Sequence, residues 1–263
     1  MNQLARNNYN HLIFNNEDIT QKTGFYLMTM EKDTEFNIGL NRNIKTTEGV
    51  FGKKLFLGTN KDNFDFEITL VKAREVKGDL VADEIHNEDI KNLCRYIIRN
   101  EPKAIEKDNK LYYGIFTTSS GEFYNNNEGY ITFKFVMTEP YIYSKIIERK
   151  FDTSVSNEIE LVNDTDLIDE EIFIDIEFNS GNNTDVKFIN MNNDSCIELH
   201  KLTKNNNYKV CGEEMQILNE DNYKEIIYSP EFIYLDYKPN TIKIESENSI
   251  KGVIKYQIKY GIK

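Results

Sequence analysis

Three histidines and 44 carboxylates are the residues of this 263-residue chain best suited to proton transfer or metal binding, and their spacing organises neither. His11, His86 and His200 are isolated, making neither a His-Glu-x-x-His pattern nor a two-histidine ligand pair. Each reads as a surface or hydrogen-bonded core side chain. So many Asp and Glu guarantee close pairs, but a glycosidase-like pair works only where spacing and burial drive the two pKa values apart. Asn163-Asp164-Thr165-Asp166 and Asn192-Asn193-Asp194 offer oxygens at short spacing. Neither completes a calcium loop with its glycine and terminal Glu, so both read as polar turns. The phosphate-cradling glycine loops and the Gly-x-Ser-x-Gly elbow are missing from the sequence. Cys94, Cys196 and Cys211 are scattered, with no Cys-x-x-Cys, and read as free thiols. The expectation is a protein that is not an enzyme, with no cofactor, no metal site and no catalytic residue to assign.

Composition narrows the class further. The chain is 39% hydrophobic, 29% charged and 12% aromatic with no Trp, which describes a folded protein long enough for two domains. Phe, Tyr and Ile supply the apolar mass, and these residues favour strands. No apolar run is long enough to span a bilayer and the N-terminal residues are polar, so the expectation is assembly in a cytoplasm without membrane insertion. A net charge of −12 argues against specific nucleic-acid binding, which draws on clustered Lys and Arg. The 33 asparagines read as compositional bias, which lowers the weight of any single Asn pattern.

The elements follow from hydrophobic periodicity. His11 to Met28 reads as a short strand, an Asn-rich turn and a second strand. Leu40 to Asn60 carries Gly49, Gly52 and Gly58 among polar residues and reads as a long loop or splayed hairpin arm. Phe64, Phe66, Ile68 and Leu70 alternate along a strand. Asn87 to Asn100 is the one helix expected, with Ile90, Leu93, Cys94, Ile97 and Ile98 on a single stripe and Asn87 as its cap. Strands follow near Leu111 to Thr117 and at Tyr130 to Met137, where Ile131, Phe133, Phe135 and Met137 share one face. Pro140 then ends the sheet, because it has no N–H to donate.

After Pro140 the helical signal disappears. Short alternating segments run through Glu158–Val162, Ile172–Phe178, Val186–Ile189, Cys196–Leu199, Lys209–Cys211, Glu225–Tyr228, Phe232–Leu235, Thr241–Ile244 and Val253–Tyr260. Such a series predicts a β-sandwich. The last segment places Ile254, Tyr256, Ile258 and Tyr260 on one side against Lys255, Gln257 and Lys259.

The order of these features resembles the distal tail protein (Dit) family of tailed bacteriophages. Phe14-Asn15-Asn16 stands for the family's opening turn, with Asn16 where a glycine is usual. Lys107-Asp108-Asn109-Lys110-Leu111-Tyr112-Tyr113-Gly114 resembles its middle motif, and Glu139-Pro140-Tyr141-Ile142-Tyr143-Ser144 its closing aromatic seam. Later, Asn240-Thr241-Ile242 matches a family strand, preceded by Lys238-Pro239 where Pro-Gly is usual.

The resemblance implies a mainly β protein. Its N-terminal β-sandwich or split-barrel domain with one α-helix would span 1–143, and a galectin-like β-sandwich would span 144–263. It further implies a homohexameric ring in the tail tip or baseplate of a virion or phage-derived tail particle. The expected partners are further copies of itself, the tail tube protein, the hub or fibre protein and, on the outer domain, receptor-binding proteins. A ring around a DNA exit channel is expected to present more carboxylates than Lys and Arg to its lumen, since a basic wall would hold the polyanion back. The expected interface residues are Gly49, Val50, Phe51, Leu55, Phe56 and Leu57, because an arm carrying these apolar side chains must bury them somewhere. Two alternatives stay open: a carbohydrate-binding module that presents Tyr faces to cell-wall glycans, and a cell-wall hydrolase.

Overall fold

Alternating apolar and polar residues place most of this chain in antiparallel strands. The computed structural model describes residues 11–30, 42–48, 54–61, 65–77, 79–123, 128–219, 227–228 and 231–261. They form two units, one running to Ile142 and taking in Gly261, the other Tyr143–Tyr260.

The first unit opens with a hairpin of Ile13–Phe14 and Glu17–Asp18. Its two-residue turn, Asn15 and Asn16, has φ of 54° and 60°. This is the left-handed pair that a right-twisted hairpin requires, and Asn adopts it more readily than most residues. Here the structure departs from the sequence expectation, since a short helix, Ile19–Thr23, precedes the next strand, Phe25–Met30. Asp18 caps it by accepting the Gln21 N–H at 2.9 Å, and Gly24 ends it at φ 74°. Five residues are too few to show a helical stripe, so only the two caps announce it.

The main sheet of this unit is curled and runs in the order Glu17–Asp18, Ile13–Phe14, Lys103–Lys107, Lys110–Phe123, Gly129–Met137, Asp65–Val76 and Phe25–Met30. Ile131, Phe133, Phe135 and Met137 are all buried, as their alternation expects. Ile68 and Leu70 are buried as well, while Phe64 lies outside the described residues. Lys103–Lys107 turns into Lys110–Phe123 through Asp108 and Asn109, again both left-handed at 52° and 60°. Gly114 follows at a close approach between strands: a Cβ there would lie 2.4 Å from the Val136 carbonyl oxygen and 2.6 Å from the Phe135 ring. Phe116 meets Phe14, Phe133 and Phe135 edge-on at 5.1 to 5.7 Å, joining the first strand to the sheet centre.

The longer helix spans Asn87–Ile97 and buries Leu93 and Ile97. Its cap is His86 rather than Asn87, because the Asp89 carboxylate reaches back and accepts the His86 N–H at 2.8 Å. Lys72 bonds the same carboxylate at 2.8 Å and fastens the helix start to the strand Asp65–Val76.

The second unit is a sandwich of two five-stranded sheets. One runs Ile147–Asp152, Lys251–Tyr256, Asp175–Ser180, Asn206–Cys211 and Gln216–Asn219. The other runs Glu158–Asn163, Lys238–Ser246, Thr184–Asn190, Cys196–Leu202 and Ile227–Tyr228. Between them lie fully or nearly fully buried Leu161, Ile176, Phe188, Leu199, Ile242 and Ile254. Each such side chain contributes ~1.5–3 kcal/mol relative to exposure. Two strands of this unit escape periodicity: Ile147–Asp152 buries only Phe151, and Gln216–Asn219 buries nothing fully. Lys259 corrects the expected outward placement. The strand breaks before it, and its side chain turns inward to pair with Glu213 at 2.6 Å.

Tyr256 crosses from one sheet to the edge of the other. Its hydroxyl donates to the Val162 carbonyl at 3.1 Å and accepts the Val162 N–H at 3.3 Å, on the edge strand Glu158–Asn163. Tyr256→Phe is expected to lower stability by about 1–2 kcal/mol, from two lost hydrogen bonds, as read by urea unfolding. A second prediction concerns alkaline pH. Burial first, then the Asp164 carboxylate 3.2 Å away, push the Tyr260 phenol from 10.0 up to about 12. The folded state therefore retains a proton that the unfolded chain releases. This stabilisation is complete below pH 10 and is lost as pH rises towards 12. Tyr260→Phe should flatten the fall of Tm with pH across that window.

Candidate interaction surfaces

The arm carrying the expected interface residues is a hairpin. Arg42–Glu48 pairs with Lys54–Lys61 as a separate two-stranded ribbon, with Thr47 opposite Leu55 and Thr46 opposite Phe56. The register slips between Lys45 and Thr46, so Leu57 sits at a bulge. Gly49, Val50 and Phe51 lie outside the described residues. Backbone topology thus brings Leu55, Phe56 and Leu57 together on one strand.

The histidines make only local contacts. His11 Nδ1 lies 2.6 Å from Asp18, His86 Nε2 3.5 Å from Glu84, and His200 Nδ1 3.1 Å from Asp185. Among the described residues no group of three or more His, Cys, Asp or Glu converges as a metal site would. The two oxygen-rich runs are turns whose asparagine side chains are bonded to backbone groups within the turn and on distant strands. Asn163 is fully buried, accepts the Thr165 N–H at 3.2 Å and donates to the Leu235 carbonyl at 3.4 Å. In the other run, Asn192 accepts the Thr241 N–H at 2.8 Å and Asn193 accepts the Ser195 N–H at 3.0 Å.

A buried amide pair organises the loops at this end of the sandwich. Asn240 donates to the carbonyls of Asp236 and Lys238 at 3.0 and 2.7 Å, and accepts from the Asp236 N–H at 3.1 Å and the Asn190 amide at 2.9 Å. Both donors and both acceptor positions of this side chain are therefore filled. Asn190 also donates to the Tyr234 carbonyl at 2.8 Å. Sequence reasoning picked out Asn240 only as a motif position and missed Asn190, which ends the strand Thr184–Asn190. The turn before Asn240 departs from a Pro-Gly pattern in an intelligible way. Pro239 cannot adopt positive φ, and Lys238 takes it instead, at 99°.

The outer faces of the sandwich differ in charge. On the sheet led by Glu158–Asn163, the side chains of Glu158, Glu160, Glu198 and Glu245 accompany Lys187 and Lys243, leaving an acidic surplus. On the other sheet, Lys150, Lys209, Lys251 and Lys255 balance Glu148, Asp152, Asp175 and Glu177. The excess of acid in the chain is uneven too. Residues 143–263 hold 23 Asp and Glu against 14 Lys and Arg, and residues 1–142 hold 21 against 18.

The mainly β fold expected from the alternating segments is the fold observed, with two helices among the described residues of the first unit and an all-β sandwich in the second. Among solved structures, the chain is similar to SPP1 Dit, with a TM-score of 0.64 at 12% sequence identity, over 94% of this chain and 98% of that one. SPP1 Dit is described as a paradigm of the hub adsorption apparatus of phages that infect Gram-positive bacteria. Chains of the phage P2 baseplate in its activated conformation, with Ca and with Sr, are also similar. They give TM-scores of 0.47 and 0.45 at 11% identity, covering 92% of this chain and 93% and 92% of theirs. No protein-family model and no curated protein matches the sequence.

Asn240→Ala is expected to cost about 3 kcal/mol, because it leaves the Asp236 N–H and one Asn190 amide hydrogen without their partner. Urea unfolding of the full chain measures it.

Proposed function

We propose that this protein is a structural component of a phage tail tip that works by contact between copies and neighbours. In this reading six copies close into a ring through residues 1–142, join the tail tube above to the hub or fibre protein below, and project the sandwich outward. The observation that carries it is the likeness to SPP1 Dit over 94% of this chain and 98% of that one, which leaves neither unit without a counterpart. The carboxylates of Asp89 and Glu177 are held in ion pairs with Lys72 and Lys255. Head-to-tail contacts that close by rotation generate such rings.

The arm Gly49–Gly58 is the proposed contact between neighbours. The lumen is proposed to be acidic, so that DNA passes without a counterion-release gain. Because residues 1–142 are close to charge balance, this requires their carboxylates to face the channel and their Lys and Arg to face away. Mass-resolved scattering and negative-stain imaging of the full chain, alone and with its tail tube protein, test the reading. A six-fold annulus is expected in at least one of these samples. A monomer in both overturns it. Deleting 49–58 should leave a folded monomer, and a basic lumen in the assembled ring would sink the electrostatic part alone.

A further inference from the structure

Among the described residues, four strands border the two sheets of the second unit, and three of them are defended against a further strand. On Glu158–Asn163 the Tyr256 hydroxyl occupies the backbone groups of Val162. Ile147–Asp152 exposes Glu148, Arg149 and Lys150, and Ile227–Tyr228 is only two residues long. Blocking, charge and shortness are all ways of protecting an edge. The fourth border, Gln216–Asn219, has none of them, and we propose that it takes an extended segment of a partner protein as an added antiparallel strand.

The backbone specifies that occupant. Gln216-Ile217-Leu218-Asn219 carries no charge and no proline, and its register with Asn206–Cys211 runs without a bulge from Gln216 opposite Cys211 to Asn219 opposite Tyr208. Alternate residues of an antiparallel strand address opposite neighbours, so two of the four turn their N–H and C=O outward. Such a row is complementary to another backbone in extended form. The side chains agree. Ile217, opposite buried Val210, packs against the core while only partly covered, and Leu218 on the other face is 47% exposed. Apolar residues on both faces are the pattern of an interior strand, here placed at a border. Two consecutive apolar residues on the incoming strand would cover both.

Charge sets the polarity of the partner. Glu213 is paired with Lys259 at 2.6 Å, and Lys209, opposite Leu218, reaches away from the edge to Glu177 at 3.7 Å. Exposed Glu214, just before the strand, forms no ion pair among the described residues. Every pairing within this sheet is antiparallel, and an antiparallel partner brings its C-terminal end to Glu214. The segment that fits is therefore neutral, with adjacent apolar residues followed by Lys or Arg.

Ring formation is not required for this binding, and a monomer would show it. Hydrogen–deuterium exchange of the full chain, with the peptide acetyl-Thr-Thr-Val-Ile-Thr-Thr-Lys-amide as the probe, tests it. Saturating peptide should slow exchange within Gln216–Asn219 about tenfold and leave Ile147–Asp152 unchanged. Proline in place of the peptide's isoleucine cannot donate to a ladder and should abolish the effect. A glutamate end should weaken it, and Glu214→Lys should reverse that preference. Leu218→Lys gives this edge the defence its counterpart already has, and should remove binding with Tm retained. The proposal is overturned by no slowing with the lysine-ended peptide, by equal slowing with the proline peptide, by slowing that survives Leu218→Lys, or by a lysine preference that Glu214→Lys leaves in place. A dimer of the full chain that Leu218→Lys dissolves would assign the edge to a second copy and overturn it as well.

Discussion

A strand at the edge of a sheet exposes unpaired N–H and C=O groups that will pair with any strand they meet, and this constraint governs how the second unit is built. The Tyr256 hydroxyl occupies both backbone groups of Val162, the position a further strand would need. The edge Ile147–Asp152 is guarded differently, by exposed Glu148, Arg149 and Lys150 in succession. One of these edges is thus closed and the other charged, and neither invites pairing with a further strand.

Local signals in the sequence were legible because each has a local cause. Strict alternation placed Ile131, Phe133, Phe135 and Met137 in the core, and the Asn-rich turn and Pro140 marked where strands end. The shortest elements were not legible. The helix Ile19–Thr23 has no room for a stripe, and Ile147–Asp152 is an edge strand whose single buried residue gives no period. Lys259 was misplaced because its inward turn depends on Glu213, which lies far away in the chain. The arm was readable as a long loop or splayed hairpin, and its backbone pairs Arg42–Glu48 with Lys54–Lys61.

Asparagine shows how composition can mislead. An abundance that reads as bias lowers the weight of every instance, yet Asn15, Asn16 and Asn109 take left-handed conformations that β-branched residues resist, and Asn163, Asn190 and Asn240 are buried and hydrogen-bonded. The common property is a short side chain that imitates a peptide group. It can stand in for glycine at a turn, or for a missing strand inside a loop. Bias supplied the residue, and the fold placed it where its amide is used.

The pairing of Ile13–Phe14 with Lys103–Lys107 sets a timetable for synthesis. The opening hairpin has no neighbour until residues beyond 100 have left the ribosome, and the sandwich likewise waits for Lys251–Tyr256 to join Ile147–Asp152. Both units are closed by late-arriving strands, which makes folding slow and dominated by non-local contacts. A chain cut short before Lys251 therefore leaves the strand Ile147–Asp152 without its partner in the sheet.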